Sequence, residues 1–248
     1  MKLTPIAFLL VLVACIQLPA AENEWAQWRG ANRDGVSPDT GLLKQWPATG
    51  PKLLWKATGL GGGFSSVSIV GNRIYTLGDG PDSCNLLALE LNGGKVVWST
   101  KVGAPGGGGG YPGPRCSPAV DGTLVFAMGQ FGDLVCADAA SGKEIWRKSM
   151  KADFGGRLPG WGYSESPLLD GEKLIVSPGS PKGTMVALNK ITGATVWNCA
   201  EWTDQVHYSS PIFADIGGKK QYIQLTDASV AGINANDGKL LWKAARAA

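Results

Sequence analysis

Short apolar runs and tight-turn signals alternate regularly along residues 52–248. Each turn signal is followed within a few residues by an apolar run of strand length, and a second strand-like segment precedes it. This arrangement predicts hairpins of antiparallel strands rather than helices. The turn signals are Gly71-Asn72, Asp121-Gly122, Asp170-Gly171 and Gly217-Gly218, and the apolar runs include residues 74–77, 124–128 and 174–176.

One passage occurs four times. In every copy a small residue stands ten positions before a tryptophan, and a glycine stands four positions before it. The tryptophans are separated by 48, 51 and 45 residues, which is the period of a propeller blade of four strands. The copies cover residues 88–98, 136–146, 187–197 and 232–242.

A shared serine element precedes each passage, at Ser66-Val67, Ser117-Pro118, Ser166-Pro167 and Ser210-Pro211. Each unit therefore reads as strand, tight turn, strand, loop, strand, glycine turn and a last strand ending near tryptophan. One such antiparallel sheet cannot bury both of its faces, whereas sheets packed radially can. The sequence predicts an all-β fold, a β-propeller of four-stranded antiparallel blades.

The form Ala-x-Asp-x-x-x-Gly-Lys-x-x-Trp resembles the tryptophan-docking motif of pyrroloquinoline-quinone-like (PQQ-like) propeller repeats. These repeats occur in quinoprotein dehydrogenases and in the propeller lipoprotein of the bacterial outer-membrane β-barrel assembly machinery. The segment from Trp25 to Gly35 also resembles the start of exported bacterial proteins with such repeats. The resemblance implies that each tryptophan lies against the glycine turn of the next blade. The docking residues are then Gly94, Trp98, Gly142, Trp146, Gly193, Trp197, Gly238 and Trp242.

A fifth copy of the last strand, residues 52–58 around Trp55, stands without its three partners. Related propellers have seven or eight blades. Four blades and one lone strand are therefore expected to form part of a larger ring. The predicted division is a targeting segment over residues 1–21, a lead segment over 22–51 and an incomplete PQQ-like propeller over 52–248.

The first residues are typical of an export signal. A positive start is followed by an apolar run over residues 6–16, which is too short to span a bilayer. Two interpretations stay open: cleavage before Glu22, or lipidation of Cys15 in the lipobox-like sequence Leu12-Val13-Ala14-Cys15. Both predict a protein of the periplasm or cell envelope, either free or lipid-anchored, without a transmembrane span.

Composition excludes several function classes. The chain of 248 residues carries a net charge of +3, so no field for nucleic acid is expected. A single histidine, His207, excludes sites that need several imidazoles. No P-loop, C-x-x-C or G-x-S-x-G motif occurs. Cys84, Cys116, Cys136 and Cys199 permit two disulfides or four buried thiols.

The connections between blades are the expected place for a binding site, because loops on a rigid scaffold usually carry function. Each connection leads into an inner strand, so the starts of these strands should converge at the central channel. The glycine run over residues 106–110 is interpreted as a flexible connection. The candidate ligand- or partner-binding residues are Phe64, Arg115, Tyr163, Glu165, His207, Tyr208 and Ser209. An alternative makes Arg115 and Glu165 a structural ion pair and His207 a core residue.

Two functions remain. The favoured hypothesis is an exported, non-catalytic propeller scaffold that binds a protein or a cell-surface polymer, with no cofactor, no metal and no catalytic residue. The alternative is a PQQ-dependent alcohol or sugar dehydrogenase with pyrroloquinoline quinone and calcium. Quinoproteins of this resemblance commonly carry a disulfide between adjacent cysteines, which this chain lacks, and no calcium-binding set of Glu, Asn and Asp is recognisable.

Overall fold

A computed structural model describes residues 24–107 and 109–246, and these residues form four sheets of four antiparallel strands each. Consecutive strands pair in chain order within every sheet, so each sheet is one blade. The first blade has β1 (Ser68–Val70), β2 (Arg73–Asp79), β3 (Cys84–Glu90) and β4 (Val96–Gly103); the second has β5 (Ala119–Asp121), β6 (Leu124–Met128), β7 (Asp133–Asp138) and β8 (Glu144–Ser149); the third has β9 (Leu168–Asp170), β10 (Lys173–Val176), β11 (Val186–Asn189) and β12 (Thr195–Asn198); the fourth has β13 (Ile212–Ile216), β14 (Lys219–Leu225), β15 (Ser229–Asn234) and β16 (Leu240–Ala245).

Helix is nearly absent from the described residues. The one α-helix, α1 (Met150–Phe154), lies in the connection after the second blade, and Ser149 caps its first turn by accepting a hydrogen bond from the Ala152 amide. The left-handed Gly155 ends it at φ 70°. The predicted all-β architecture is therefore confirmed.

The two middle strands of the second blade are buried along most of their length because the blades on either side cover both faces. Four of the five residues of β6 are buried, and so are the four central residues of β7. The outer strand β8 is instead exposed or half-buried throughout. This explains why the sequence shows continuous apolar runs in the middle strands.

The four-residue and ten-residue spacings before each tryptophan have separate structural causes. The small residue ten positions earlier is the direct cross-strand neighbour of the indole, and the strand register shifts immediately after it. A bulge at this point leaves room for the indole next to a small side chain. The pairs are Ala88 with Trp98, Cys136 with Trp146, Ala187 with Trp197 and Gly232 with Trp242.

In the second, third and fourth blades, the glycine that follows the third strand receives the tryptophan of the preceding blade. A Cβ on Gly142 would lie 2.6 Å from the Trp98 ring, and a Cβ on Gly193 would lie 2.9 Å from Trp146. The indole N–H of Trp98 also donates to the Ala139 carbonyl at 3.1 Å. Trp197 lies in the same way on Gly238, where a Cβ would be 2.5 Å from its ring. The predicted docking contact is thus present between consecutive blades.

Hydrogen bonds between inner strands also join the blades. The Ser117 amide donates to Oγ of Ser166, and the Ser166 amide donates to Oγ of Ser210, both at 2.9 Å. Ser68 joins the first two blades through the Pro118 carbonyl. Among the described residues no hydrogen bond joins the fourth blade to the first. The four blades therefore form an arc, as expected for part of a larger ring.

Residues 52–58, expected as a lone strand, run without ladder pairing to the sixteen strands. Trp55 nevertheless occupies the docking position of the first blade, where a Cβ on Gly94 would lie 2.6 Å from its ring. The flanking Leu53 and Leu54 are 74% and 81% exposed. The segment therefore supplies a docking tryptophan, while its leucine side chains are exposed to solvent.

The four cysteines of the described chain are free and buried. Burial raises the pKa of the Cys116 thiol to about 12, so this thiol stays protonated at neutral pH. Of the two alternatives left open by the sequence, the structure shows buried thiols. Residues 1–23 lie outside the described part, and with them the signal peptide and Cys15. No helix between residues 24 and 246, as far as the structure describes them, has the length and hydrophobicity to cross a membrane.

Candidate functional site: an aromatic ledge on the connection face

Four exposed aromatic rings from successive connections form one continuous row. Phe64, Tyr111, Trp161 and Tyr208, here called the aromatic ledge, are 57%, 56%, 49% and 41% exposed. Their ring centroids follow one another at 6.0, 5.8 and 5.8 Å. The last two steps have interplanar angles of only 33° and 36°. Large flat side chains that are exposed together in this way are typical of recognition surfaces.

Backbone contacts hold the first part of the ledge in place. The Phe64 amide donates to the Pro114 carbonyl at 2.7 Å, which joins the connections that carry Phe64 and Tyr111. A Cβ on Gly113 would lie only 2.7 Å from Cα of Gly63, so the two chains can approach this closely only where glycine stands. The ledge is therefore built on two connections that are locked together.

The first glycine of the run is anchored, and the expected flexibility of the connection over residues 106–110 stays a prediction for the rest of it. The Gly106 amide donates to Oδ2 of Asp79 at 2.6 Å. The amide of Gln130, which is buried, donates to the same carboxylate and to the carbonyls of Ala104 and Gly106. These bonds fix the start of the loop that carries Tyr111.

Arg115 joins the connections that carry the aromatic ledge. Its guanidinium donates to the carbonyls of Tyr111 at 2.6 Å, Gly113 at 3.1 Å and Trp161 at 2.9 Å. It also lies 5.5 Å from the centroid of the Phe64 ring. The three aromatic residues and Arg115 line a cavity of about 310 Å³. The predicted alternative of an Arg115–Glu165 ion pair is wrong, because the guanidinium is held by these carbonyls instead.

The far end of the ledge comes from the last connection. The His207 ring lies 4.3 Å from the Tyr208 ring at an interplanar angle of 33°. The Tyr208 hydroxyl accepts a hydrogen bond from the Trp161 amide at 3.2 Å. The Ser209 hydroxyl donates a hydrogen bond to the Leu225 carbonyl at 2.5 Å, so this hydroxyl is bonded within the fourth blade. His207 and Tyr208 thus join the candidate site, and Ser209 supports it.

Tyr163 and Glu165 lie in the interior and not on the ledge, since each is only 2% exposed. The Tyr163 hydroxyl donates to the Pro178 carbonyl at 2.9 Å, and its ring fills the space above Gly132. Burial raises the pKa of Tyr163. The structure therefore brings Phe64, Arg115, His207 and Tyr208 together, and separates Tyr163 and Glu165 from them.

Glu165 belongs to a buried polar network. Its carboxylate accepts from the Ser177 amide at 2.6 Å and from the Gln224 amide at 3.2 Å. Burial raises the pKa of Glu165 to about 7, and these hydrogen bonds and the positive charge of Arg33 offset burial only in part. The carboxyl therefore holds its proton to a higher pH than an exposed glutamate does.

Arg33 from the lead segment enters the interior next to this network. It is 2% exposed and donates to the carbonyls of Ser166 at 2.8 Å and Pro167 at 2.9 Å. Burial lowers its pKa to about 10, which leaves it charged at neutral pH. Its backbone adopts φ 56°, a left-handed conformation that is uncommon for arginine. The charge next to Glu165 thus comes from the lead segment and not from the blades.

The lead segment crosses the inner strands near their tight turns, on the side opposite the ledge. Trp25 pairs with Ile69 of β1 through two hydrogen bonds of 2.8 and 2.9 Å, and the Ala26 carbonyl accepts from Val120 of β5 at 2.8 Å. Trp25 is half-buried because of this pairing. The lead segment therefore covers the turn-side end of the inner strands, and the ledge lies at their other end.

Sequence reasoning missed Tyr111, Trp161 and Arg33. The two aromatic residues lie inside connections of unequal length, and only their intervals of 47 and 50 residues from Phe64 and Tyr111 follow the blade period. Arg33 belongs to the lead motif, but the two carbonyls to which it donates, those of Ser166 and Pro167, are more than 130 residues away. The interval between the aromatic residues is a sequence signal that could have revealed Tyr111 and Trp161. No sequence signal links Arg33 to the distant carbonyls that it contacts.

The residues do not fit a quinone with calcium. Among the described residues no group of three or more His, Cys, Asp or Glu could hold a metal ion. Arg115, whose guanidinium could pair with the carboxylates of a quinone, already donates to three carbonyls. The buried carboxylate of Glu165 is held by Ser177 and Gln224. No catalytic step through such a cofactor follows from this arrangement.

Four-stranded blades joined by tryptophan–glycine docking define a β-propeller of the PQQ-like repeat class. The family model described as outer membrane protein assembly factor BamB matches residues 84–248, and the chain belongs to this family.

Similar proteins agree with this membership. The chain is 30% identical over 148 residues to the outer membrane protein assembly factor BamB of Yersinia pestis, which covers 59% of this chain and 35% of that protein. It is also 26% identical over 181 residues to the serine/threonine-protein kinase AfsK of Streptomyces griseus, covering 71% of this chain and 21% of that one. The chain thus spans about a third or less of the length of these relatives.

Two solved structures share the fold. The crystal structure of BamB from Moraxella catarrhalis superposes with a TM-score of 0.58 at 18% identity, covering 80% of this chain and 56% of that one. A quinohemoprotein alcohol dehydrogenase from Pseudomonas putida superposes with a TM-score of 0.51 at 15% identity, covering 78% and 36%. At these identities the similarity shows the fold alone.

Proposed function

We propose that this protein is an exported, non-catalytic propeller scaffold of the cell envelope that binds a protein or polymer partner through the aromatic ledge. The observation that carries the proposal is the row itself: four successive connections each contribute one ring that is 41–57% exposed. Aromatic residues are enriched at the centre of protein interfaces, where they provide a large contact area at a low entropic cost.

The rigidity of the ledge supports a binding role. The ledge residues are held in place without a ligand by Arg115, by the hydrogen bond from Phe64 to Pro114 and by the bond from Gly106 to Asp79. A preorganised surface loses little conformational entropy on binding, so more of the contact energy appears as affinity.

Membership of the BamB family supports an envelope location and a protein partner, since relatives of this family are named outer membrane protein assembly factors. The signal-like start of the chain supports export, with cleavage before Glu22 and lipidation of Cys15 as its two routes. Under this proposal no cofactor takes part, and the carboxylate of Glu165 is structural.

Site-specific photo-crosslinking in the cell envelope tests the proposal. A photoreactive amino acid at Tyr111 should give a discrete crosslinked product in the native host. The matched control places it at Ile191, which is 54% exposed in the turn between β11 and β12 on the opposite face. A product of equal yield at both positions, or at neither, would contradict a partner surface on the ledge.

A further inference from the structure

A chain of hydrogen bonds connects the buried carboxylate of Glu165 to the end of the aromatic ledge. Oε2 of Glu165 accepts from Nε2 of Gln224 at 3.2 Å, and the same Nε2 donates to the Ser209 carbonyl at 3.1 Å. Ser209 directly follows Tyr208, the last ring of the ledge. One amide group therefore holds both an interior carboxylate and the main chain of the ledge.

The neighbouring groups fix the orientation of the Gln224 amide. Its Oε1 accepts from the Ser177 hydroxyl, so Nε2 lies on the side of Glu165 and Ser209. The Ser177 main-chain amide donates to Oε1 of Glu165 at 2.6 Å. Both carboxylate oxygens thus accept hydrogen bonds from N–H donors, which is the arrangement of an ionised carboxyl.

A proton on Glu165 conflicts with this arrangement. Oε1 already receives the shorter bond, from the Ser177 amide, so the proton goes to Oε2, whose bond from Gln224 is longer. A protonated Oε2 becomes a donor and then faces the N–H donors of Gln224. Turning the Gln224 amide by about 180° removes the conflict, because its Oε1 then accepts from Glu165 and its Nε2 donates to the Ser177 hydroxyl.

The same turn reverses the contact with the ledge. The Ser209 carbonyl, which is an acceptor, then faces Oε1 of Gln224, which is an acceptor too. Ser209 is only half-buried, so water can bind its carbonyl once the segment moves. The Tyr208 hydroxyl, which accepts from the Trp161 amide at 3.2 Å, moves with this segment. Protonation of Glu165 therefore loosens the last ring of the ledge.

The other ionisable groups that face Glu165 keep one charge state near neutral pH. Burial raises the pKa of Cys116, just before β5, to about 12, and it also raises the pKa of Tyr163, so both stay neutral. Arg33 of the lead segment stays charged, since burial lowers its pKa only to about 10. Burial raises the pKa of Glu165 itself to about 7. Glu165 is therefore the member of this group that changes charge in the neutral range.

We propose that Glu165 and Gln224 form a proton-operated switch, which holds the Tyr208 end of the aromatic ledge when the carboxyl is ionised and releases it when the carboxyl is protonated. This inference deepens the proposed function and rests on it, because it concerns the regulation of the same binding surface. Glu165 acts as a positioning residue that does not touch the partner. The ledge should accordingly be more ordered above the transition than below it.

Nuclear magnetic resonance of the full chain, without a partner, tests the switch. The signals of the Gln224 side-chain amide and of the Ser209 carbonyl carbon should change together with pH, with a common midpoint at about pH 7. Below this midpoint the Trp161 amide should lose protection against hydrogen exchange, because the Tyr208 hydroxyl that accepts from it moves away.

Variants separate the proton from its transmission. Glu165→Gln imitates the protonated carboxyl, since an amide carries one acceptor and one donor group, and it should show the low-pH signals of Ser209 at every pH. Gln224→Met keeps the titrating carboxyl but removes the amide, so the Ser209 carbonyl should no longer respond. Glu172→Gln is the matched control, at a side chain that is 71% exposed in the turn between β9 and β10, and it should leave the transition unchanged.

Two further variants assign the transition to Glu165. His207 stacks on the Tyr208 ring, and imidazoles titrate in the neutral range. His207→Asn should nevertheless keep the transition and its midpoint. Arg33→Gln should move the midpoint to higher pH, because the positive charge of Arg33 favours the ionised form of Glu165. Circular dichroism confirms that each variant is folded, and the wild-type titration with Gln224→Met is decisive even where another variant is not.

Two results would overturn the inference. The first is a transition of the Ser209 carbonyl that persists in Glu165→Gln or disappears in His207→Asn. The second is titration of Glu165 while the signals of the Gln224 amide stay constant, which would show that the Ser177 hydroxyl accepts the proton instead.

The two proposals fail in different experiments. Absence of the transition would reject the switch and leave the scaffold function standing, because the titration contains no partner. Crosslinking of equal yield at Tyr111 and Ile191 would instead reject the partner surface, and with it the role of the switch in binding.

Discussion

The indole of Trp55 lies against Gly94 so closely that a Cβ at this glycine would come within 2.6 Å of the ring. The same contact joins Trp98 to Gly142 and Trp146 to Gly193 between consecutive blades. Trp55 therefore takes the position that the last strand of a preceding blade would occupy. Because it precedes the first blade in the chain, the docking site on that blade is filled by the protein itself.

Substitution of the docking glycine should destabilise the fold beyond the cost of backbone strain. Gly142→Ala places a methyl group at 2.6 Å from the Trp98 ring and at φ 73°. Gly122→Ala is the matched control, with φ 59° and no atom within 4 Å of the added Cβ. We expect about 1 kcal/mol of destabilisation for the control and about 2 kcal/mol more for Gly142→Ala, measured by urea unfolding. Equal losses would show that the docking contact does not constrain this position.

Removal of a docking indole should be costly, and removal of an exposed one should not. Trp146→Ala loses the contact with Gly193 and the hydrogen bond to the Lys190 carbonyl at 3.0 Å, so we expect a loss of about 3 kcal/mol in the free energy of unfolding. Trp46, which is 63% exposed, should change stability by less than about 0.5 kcal/mol when replaced by alanine. Similar unfolding midpoints for the two variants would contradict the docking role.

The buried carboxyl of Glu165 should make stability depend on pH. Its pKa is raised by burial from 4.5 to about 7, so the folded state binds this proton more tightly than the unfolded chain does. Its contribution is fully present below pH 4.5 and is lost as pH rises to about 7. Relative to the wild type, Glu165→Gln should therefore gain on the order of 2 to 3 kcal/mol between pH 5 and pH 8. Unfolding curves that shift in parallel for both proteins over this range would refute the shifted pKa.

A quinone with calcium should not bind to this chain in a defined site. The guanidinium of Arg115 is engaged by three carbonyls, and Glu165 is enclosed by Ser177 and Gln224. Titration of the full chain with pyrroloquinoline quinone and calcium should therefore give no saturable heat. Submicromolar binding that Arg115→Ala abolishes, together with dye-linked alcohol oxidation, would support the dehydrogenase alternative instead.

The propeller could be predicted from the sequence because its information is local and repeated. Turn, apolar run, glycine and tryptophan recur within each unit, so the strand order and the docking pairs follow from one period. Even the small residue ten positions before each tryptophan has a local cause, since Ala88 and its equivalents face the indole across one hairpin. The sequence of each repeat is therefore sufficient to predict the strands of its own blade.

The composition of the candidate site depended on contacts between distant residues. Phe64, Arg115 and Tyr208 were predicted from their positions at the starts of inner strands, and the structure places all three at the ledge. Tyr163 and Glu165 occupy comparable positions in the sequence but point into the interior, because the direction of a side chain in an irregular connection follows from its packing. Local pattern alone does not encode that direction.

The sequence by itself determined the blades, their order and their docking tryptophans, because each of these depends on residues within one repeat or on the next copy of it. Only the tertiary structure decided that Arg33 crosses to the third blade, that Trp161 and Tyr111 complete the ledge, and that Arg115 holds it together. These relationships join irregular segments of unequal length, where no period fixes the register and only the packed chain brings the partners within hydrogen-bonding distance.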